Sequence, residues 1–184
     1  MTHLQLISHP TTTMPRVRAL DVAVSRTADG ALVAIYECDC AAGVLCLPDA
    51  RPAEAADELW RHTCCELFVG VAGDAAYREF NFSPSGQWAM YGFSAYRVRD
   101  SSNLNVAGPA PHIEFALGET GWRLEVRLDA AALPLRAAKQ IELGVAVVLE
   151  AANGDLSYWA LRHAAGQPDF HHRESFVLRP SDPA

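Results

Sequence analysis

The sequence predicts an all-β antiparallel sandwich of about ten strands, in one domain spanning residues 1–184, with at most one or two short helical turns. Three observations predict it. Apolar residues recur with a period of two along most of the chain, turn residues separate the runs, and no long stretch carries a helical period. With 184 residues, half of them hydrophobic and a fifth charged, the chain can build one sizeable core.

Leu20, Val22 and Val24 alternate, and Ala28-Asp29-Gly30 supplies a turn before Leu32–Cys38. The stretch Ala41–Glu58 is rich in Ala and Pro and reads as a loop, with at most one helical turn over Pro52–Leu59. Strands follow at 64–71, 76–83, 87–96, 111–117, 121–128, 140–149, 156–162 and 174–178. Trp122, Leu124, Val126 and Leu128 alternate with Arg123, Glu125, Arg127 and Asp129, the pattern of a half-buried strand. Ile141, Leu143, Val145, Val147 and Leu149 form another. Gly118-Glu119-Thr120-Gly121 joins two strands as a hairpin, and Asp129–Ala138 has room for a helical turn that Pro134 limits.

The turns set the register of Cys65–Phe93. If the loop Ala72-Gly73-Asp74-Ala75 closes a hairpin, Glu66 lies opposite Asn81, and Leu67 and Val69 meet Phe80 and the stem of Arg78. Pro84-Ser85-Gly86 then places Phe82 opposite Trp88 and Phe80 opposite Met90. One face, with Leu67, Phe80, Phe82, Trp88 and Met90, is core. The other carries Glu66, Phe68, Tyr77, Glu79, Asn81, Tyr91 and Phe93. Rings beside carboxylates and an amide suit a polyhydroxylated ligand, whose apolar faces stack while its hydroxyls donate. The same face can instead be covered by another chain segment, with its polar groups satisfied internally.

Fifteen basic against 22 acidic residues, a net charge of −7, disfavour nucleic acid or an anionic membrane as partner. No apolar run is long enough to span a bilayer, and Met1–Pro15 lacks the pattern of a secretion leader, so the expected location is cytoplasmic. Cys38, Cys40, Cys46, Cys64 and Cys65 are odd in number and read as free thiols. Cys38 and Cys40, two apart on a strand, share a face and could begin a soft-metal site. Cys64 and Cys65 point to opposite faces and cannot act together, so the thiols are expected as buried small hydrophobes without a metal site. Nor is one expected of His163, His171, His172 and Glu174, whose spacing matches no tight zinc arrangement.

Leu59-Trp60, Glu66-Leu67-Phe68 and Tyr77-Arg78-Glu79-Phe80-Asn81-Phe82-Ser83-Pro84, followed by Ser157-Tyr158-Trp159-Ala160-Leu161 and Pro168-Asp169-Phe170-His171, resemble segments of the DOMON-like superfamily. Within it the chain looks most like family 9 carbohydrate-binding modules and their bacterial relatives of unassigned function. The resemblance implies a sandwich that binds sugar or haem without catalysis. In the sugar-binding members two tryptophans clasp the sugar, and a glutamate six residues after the first makes hydrogen bonds. Trp60 and Glu66 match that spacing, and Trp159 is the candidate second tryptophan. Asn81 joins Glu66 by register, and Arg162 by proximity to Trp159. Thr63 and Cys64 stand where the family carries acidic residues.

The expected activity is therefore non-catalytic binding of a carbohydrate-like small molecule, with no cofactor. The alternative from a different class is a cytoplasmic module whose mixed face meets a protein partner. Haem would use Met90 and His163 as axial ligands, but the register sets Met90 on the core face, where methionine is ordinary filler. A small glycoside hydrolase would use Glu66 and Glu79, diagonal neighbours on adjacent strands. No phosphate-cradling glycine loop supports nucleotide binding.

Overall fold

The computed structural model describes residues 2–12, 14, 16–100, 108–134, 140–164 and 166–180. Among the described residues twelve strands form two antiparallel sheets: β1 (Thr2–Gln5), β2 (Ile7–Ser8), β3 (Val17–Arg26), β4 (Leu32–Cys40), β5 (Cys64–Val71), β6 (Tyr77–Phe82), β7 (Trp88–Ala95), β8 (Val98–Arg99), β9 (His112–Gly118), β10 (Gly121–Leu128), β11 (Ile141–Glu150) and β12 (Leu156–Ala160). The five-stranded sheet runs β1-β3-β4-β10-β9 and the seven-stranded sheet β2-β12-β11-β5-β6-β7-β8.

The core lies between them. Leu20, Val22, Tyr36, Leu124 and Val126 from the smaller sheet meet Leu67, Phe80, Phe82, Leu143, Val145 and Val147 from the larger. Each such side chain contributes about 1.5–3 kcal/mol by leaving water. Tyr36, fully buried, donates its hydroxyl to the Glu66 carbonyl at 3.0 Å and so ties the smaller sheet to β5 at the site described below. The predicted register holds: Glu66 faces Asn81, Leu67 faces Phe80, Phe80 faces Met90 and Phe82 faces Trp88.

Three differences stand out. The chain begins with two strands the periodicity did not show: β1 pairs β3, β2 pairs β12, and the crossing at Leu6 is pinned by its N–H on the Leu20 carbonyl at 2.8 Å. Both strands are too short to display an alternation. The early helical turn lies at Leu59–Arg61 rather than over Pro52–Leu59. In place of a strand at 174–178 there is a 3-10 turn at Arg173–Ser175, and only Leu178 pairs, with Leu143. Phe176 packs on the sheet's outer face against Phe68, and Leu178 alone exchanges backbone hydrogen bonds with Leu143 of β11, at 2.8 and 3.1 Å, so the segment buries its apolar residues with a single bridge. Among the described residues no helix is long and apolar enough to cross a membrane.

Candidate functional site

The pairings place side chains in rows on the outer face of the seven-stranded sheet. One row runs Ala160, Ala146, Glu66, Asn81, Ala89 across β12, β11, β5, β6 and β7. The next runs Gly144, Phe68, Glu79, Tyr91. In the floor these rows make, small residues, Ala146 and Ala89, thus flank Glu66 and Asn81, whereas Glu79 stands between the rings of Phe68 and Tyr91.

A cleft of about 690 Å³ opens above this floor. Glu66, Glu79, Tyr91, Phe93, Val148 and Tyr158 line it from the strands. Asp57, Glu58 and Trp60 form one wall, Arg97 and Arg99 a second, and Gln167, Pro168, Phe170 and His171 a third. Trp60 is 42% exposed, a large ring open to solvent on the rim. The chain behind it is fixed by Thr63, whose buried hydroxyl donates to the Cys46 carbonyl at 2.9 Å and accepts from the Glu150 N–H at 3.1 Å.

Among the described residues, the two non-glycine positions with a left-handed backbone, Glu58 (φ 60°) and Arg97 (φ 55°), both line the cleft. Such conformations are disfavoured and persist where surrounding bonds hold them. The Glu58 carbonyl accepts from the Arg61 N–H at 3.0 Å, and the Arg97 N–H donates to the Tyr77 hydroxyl at 3.1 Å. Tyr96 and Arg97 both reach Asp169, at 2.5 and 2.9 Å, and join two walls. Tyr91 donates to Asp57, and Arg99 lies over the Tyr91 ring at 4.0 Å.

The floor is electrostatically unusual. Burial and the neighbouring Glu79 push the Glu66 carboxyl well above the usual range, with Arg97 pulling the other way. Burial lifts Glu79 to about 7, against a hydrogen bond from Asn81 Nδ2 at 2.8 Å. Burial drops His171 to about 4. A neutral His171 accepts at Nδ1 from the Tyr77 hydroxyl at 2.8 Å, and that leaves its protonated Nε2 facing Glu79 at 3.7 Å. Among the described residues no hydrogen bond reaches the Glu66 carboxyl, which lines the cleft, and Asn81 Oδ1 is buried without a partner.

Of the five residues predicted for the site, the structure brings Trp60 and Glu66 to the cleft and sets Asn81 in the floor between the carboxyls. Trp159 is a correction. It faces the inter-sheet core opposite Val147 and donates its indole N–H to Ser157 at 2.9 Å, and the cleft-lining ring is its neighbour Tyr158. Arg162 also lies elsewhere, 4.0 Å from Glu174 on the surface. Met90 is buried in the core beside β6, whereas His163 donates its Nε2–H to the Ile7 carbonyl at 2.8 Å, at the β2 end of the same sheet. The pair that haem would need therefore does not converge. Sequence reasoning missed Tyr158, the arginines and the acids of the walls; Pro168–His171 had been singled out, but without a position.

No family model and no curated protein matches the sequence. Solved structures do match the fold. A candidate carbohydrate-binding protein from Bacteroides uniformis ATCC 8492 superposes with a TM-score of 0.67 at 15% identity, over 98% of this chain and 87% of that one. A family 9 carbohydrate-binding module from Caldicellulosiruptor kristjanssonii, in complex with glucose, gives 0.50 at 13% identity over 80% and 69% of the two chains. The same type of module in complex with cellotriose gives 0.52 at 11% over 80% and 67%. The chain shares its fold with family 9 carbohydrate-binding modules. The likeness lies in the sandwich, and the cleft on its seven-stranded sheet is a property of this chain's own residues.

Proposed function

We propose that the cleft binds a carbohydrate and releases it unchanged. The observation that carries this reading is a buried, unpartnered carboxyl, Glu66, set beneath the rings of Trp60, Tyr91, Phe93 and Tyr158 in one open cleft. Rings offer flat apolar surface to a pyranose, and the cleft-lining carboxyls Glu66 and Glu79 offer hydrogen bonds to its hydroxyls. The shared fold with modules solved on glucose and cellotriose supports the same reading.

Binding without turnover fits the geometry better than hydrolysis. A glycosidase sets its carboxyls on either side of the scissile bond. Glu66 and Glu79 rise from adjacent strands of one floor, where both meet the same side of a ligand.

Glycan-array screening followed by calorimetric titration tests the proposal. Binding of a mono- or oligosaccharide, weakened in Trp60→Ala and in Tyr158→Ala, is the expected result. A chain that binds no glycan, or binds one equally well after both substitutions, overturns it.

A further inference from the structure

Resting on the carbohydrate reading of the cleft, we propose that the preferred ligand is a sugar carrying a protonated amine, with its ammonium seated on Glu66. The charges in the cleft divide into two groups. On the walls, each cation answers an acid: Arg97 pairs with Asp169 at 2.9 Å, Arg99 with Asp57 at 3.8 Å, and Arg61, outside the cleft, with Glu58 at 2.7 Å. On the floor, Glu66 is 3% exposed and Glu79 5%, and no arginine or lysine among the described residues pairs with either. Glu79 has Asn81 and the neutral His171 as neighbours, while among the described residues no donor bonds to the Glu66 carboxyl and no cation forms an ion pair with it.

An unpartnered Glu66 anion at this depth is costly, so the side chain rests as the acid; an ammonium offsets that cost through a charge-assisted hydrogen bond and lets the anion form. The rings above add to the effect, since a cation over Trp or Tyr faces is attracted by their quadrupoles. A neutral hydroxyl can bond the carboxyl but brings no positive charge to it or to a ring face. An N-acylated amine keeps the sugar ring but loses the charge, and so serves as the control.

Titratable and charged groups face Glu66 from every side: Glu79 from β6, Arg97 and Arg99 from the β7–β8 region, Asp57 and Glu58 from the wall before β5, and His171 from the C-terminal segment. Burial and Glu79 together favour the neutral Glu66 acid. An arriving ammonium favours its anion, so binding expels a proton to solvent.

The test is calorimetric titration of the full chain with glucosamine, galactosamine and mannosamine, each beside its neutral and N-acetylated counterpart, at pH 7 in buffers of different ionisation enthalpy. At least one amine is expected to bind about tenfold more tightly than both counterparts, with release of up to about one proton. In Glu66→Gln that ratio falls to about one and the release disappears. Should the variant fail to fold, the ratio and the proton release of the native chain decide alone. Neutral sugars binding as tightly as amines, without proton release, overturn the amine assignment and leave the carbohydrate reading standing. Absence of binding to all nine sugars and to a glycan array overturns both.

Discussion

The outer face of the seven-stranded sheet holds two regions that share strands but differ in what lies over them. On β5, Phe68 is covered: Phe176 packs 5.8 Å from its ring centroid and His171 5.2 Å, with Phe170 and Tyr77 completing an aromatic cluster. Two residues earlier on the same strand, Glu66 lines an open cleft. The strands are equally regular in both regions. What separates them is the C-terminal segment, which lays its rings over one and ends at the edge of the other. Gly144 lets it approach, because a Cβ there would lie 3.0 Å from the Phe176 ring. A carboxyl-bearing floor therefore stays open because its neighbour is filled, and the filled part holds the third wall of the cleft in place.

Phe176→Ala is the severest way to erase the difference. It empties the covered region, and loss of a buried Phe is expected to cost about 3–5 kcal/mol of stability. Denaturant unfolding measures it; a loss below about 1 kcal/mol would mean that the segment is not a structural lid over Phe68. Trp60→Ala acts on the open region instead. Its ring is 42% exposed, so unfolding should shift little, while affinity for the sugar found by screening falls by about 2 kcal/mol, near thirtyfold. An equal loss of stability and affinity would show that the two regions are not separable.

How far the sequence foretold this division depends on the strand. For β5–β7 the turn residues set the register, and alternation then sorted core from mixed face residue by residue, which is why Glu66 and Asn81 came out opposite each other. For β12 alternation failed. Ser157-Tyr158-Trp159-Ala160 is apolar towards both faces because Tyr158 has Phe170 over it and Trp159 has the inter-sheet core, so nothing in its pattern says which aromatic is outside. The covered region was foreseen only as an alternative. The segment that covers it carries no strand pattern, since it packs by rings across the sheet. The cleft walls were hidden for a related reason: Arg97, Arg99, Asp57 and Asp169 meet only through loops distant in sequence.

The boundary between the two regions has its own signature in pH. Glu79 and His171 meet there at 3.7 Å, and their shifts oppose each other. Glu79 rises to about 7 from 4.5, so the folded chain holds a proton that the unfolded chain releases, and stability falls as pH rises between these values. His171 drops to about 4 from 6.5, so the unfolded chain holds the extra proton, and stability rises with pH across that interval. Between pH 4.5 and 6.5 the two contributions offset one another. Glu79→Gln should make stability climb more steeply with pH there, and His171→Gln should make it decline, each by at most about 1.4 kcal/mol per pH unit. Unfolding midpoints across that range measure both. Slopes of like sign would mean that the pair titrates as a unit and the boundary is not drawn between them.

Arg162→Ala is expected to have the smallest effect, and its use is to mark where the site stops. Arg162 lies two residues past the end of β12, close in sequence to Tyr158, yet it faces Glu174 at 4.0 Å with both side chains more than half exposed. An exposed pair at that distance contributes about 0–1 kcal/mol at most. Neither residue lines the cleft. Stability should therefore change by less than about 0.5 kcal/mol and sugar affinity by less than about twofold. A larger fall in affinity alone would extend the open region around the β12 edge, and would place the ligand across Tyr158 rather than between Tyr158 and Trp60.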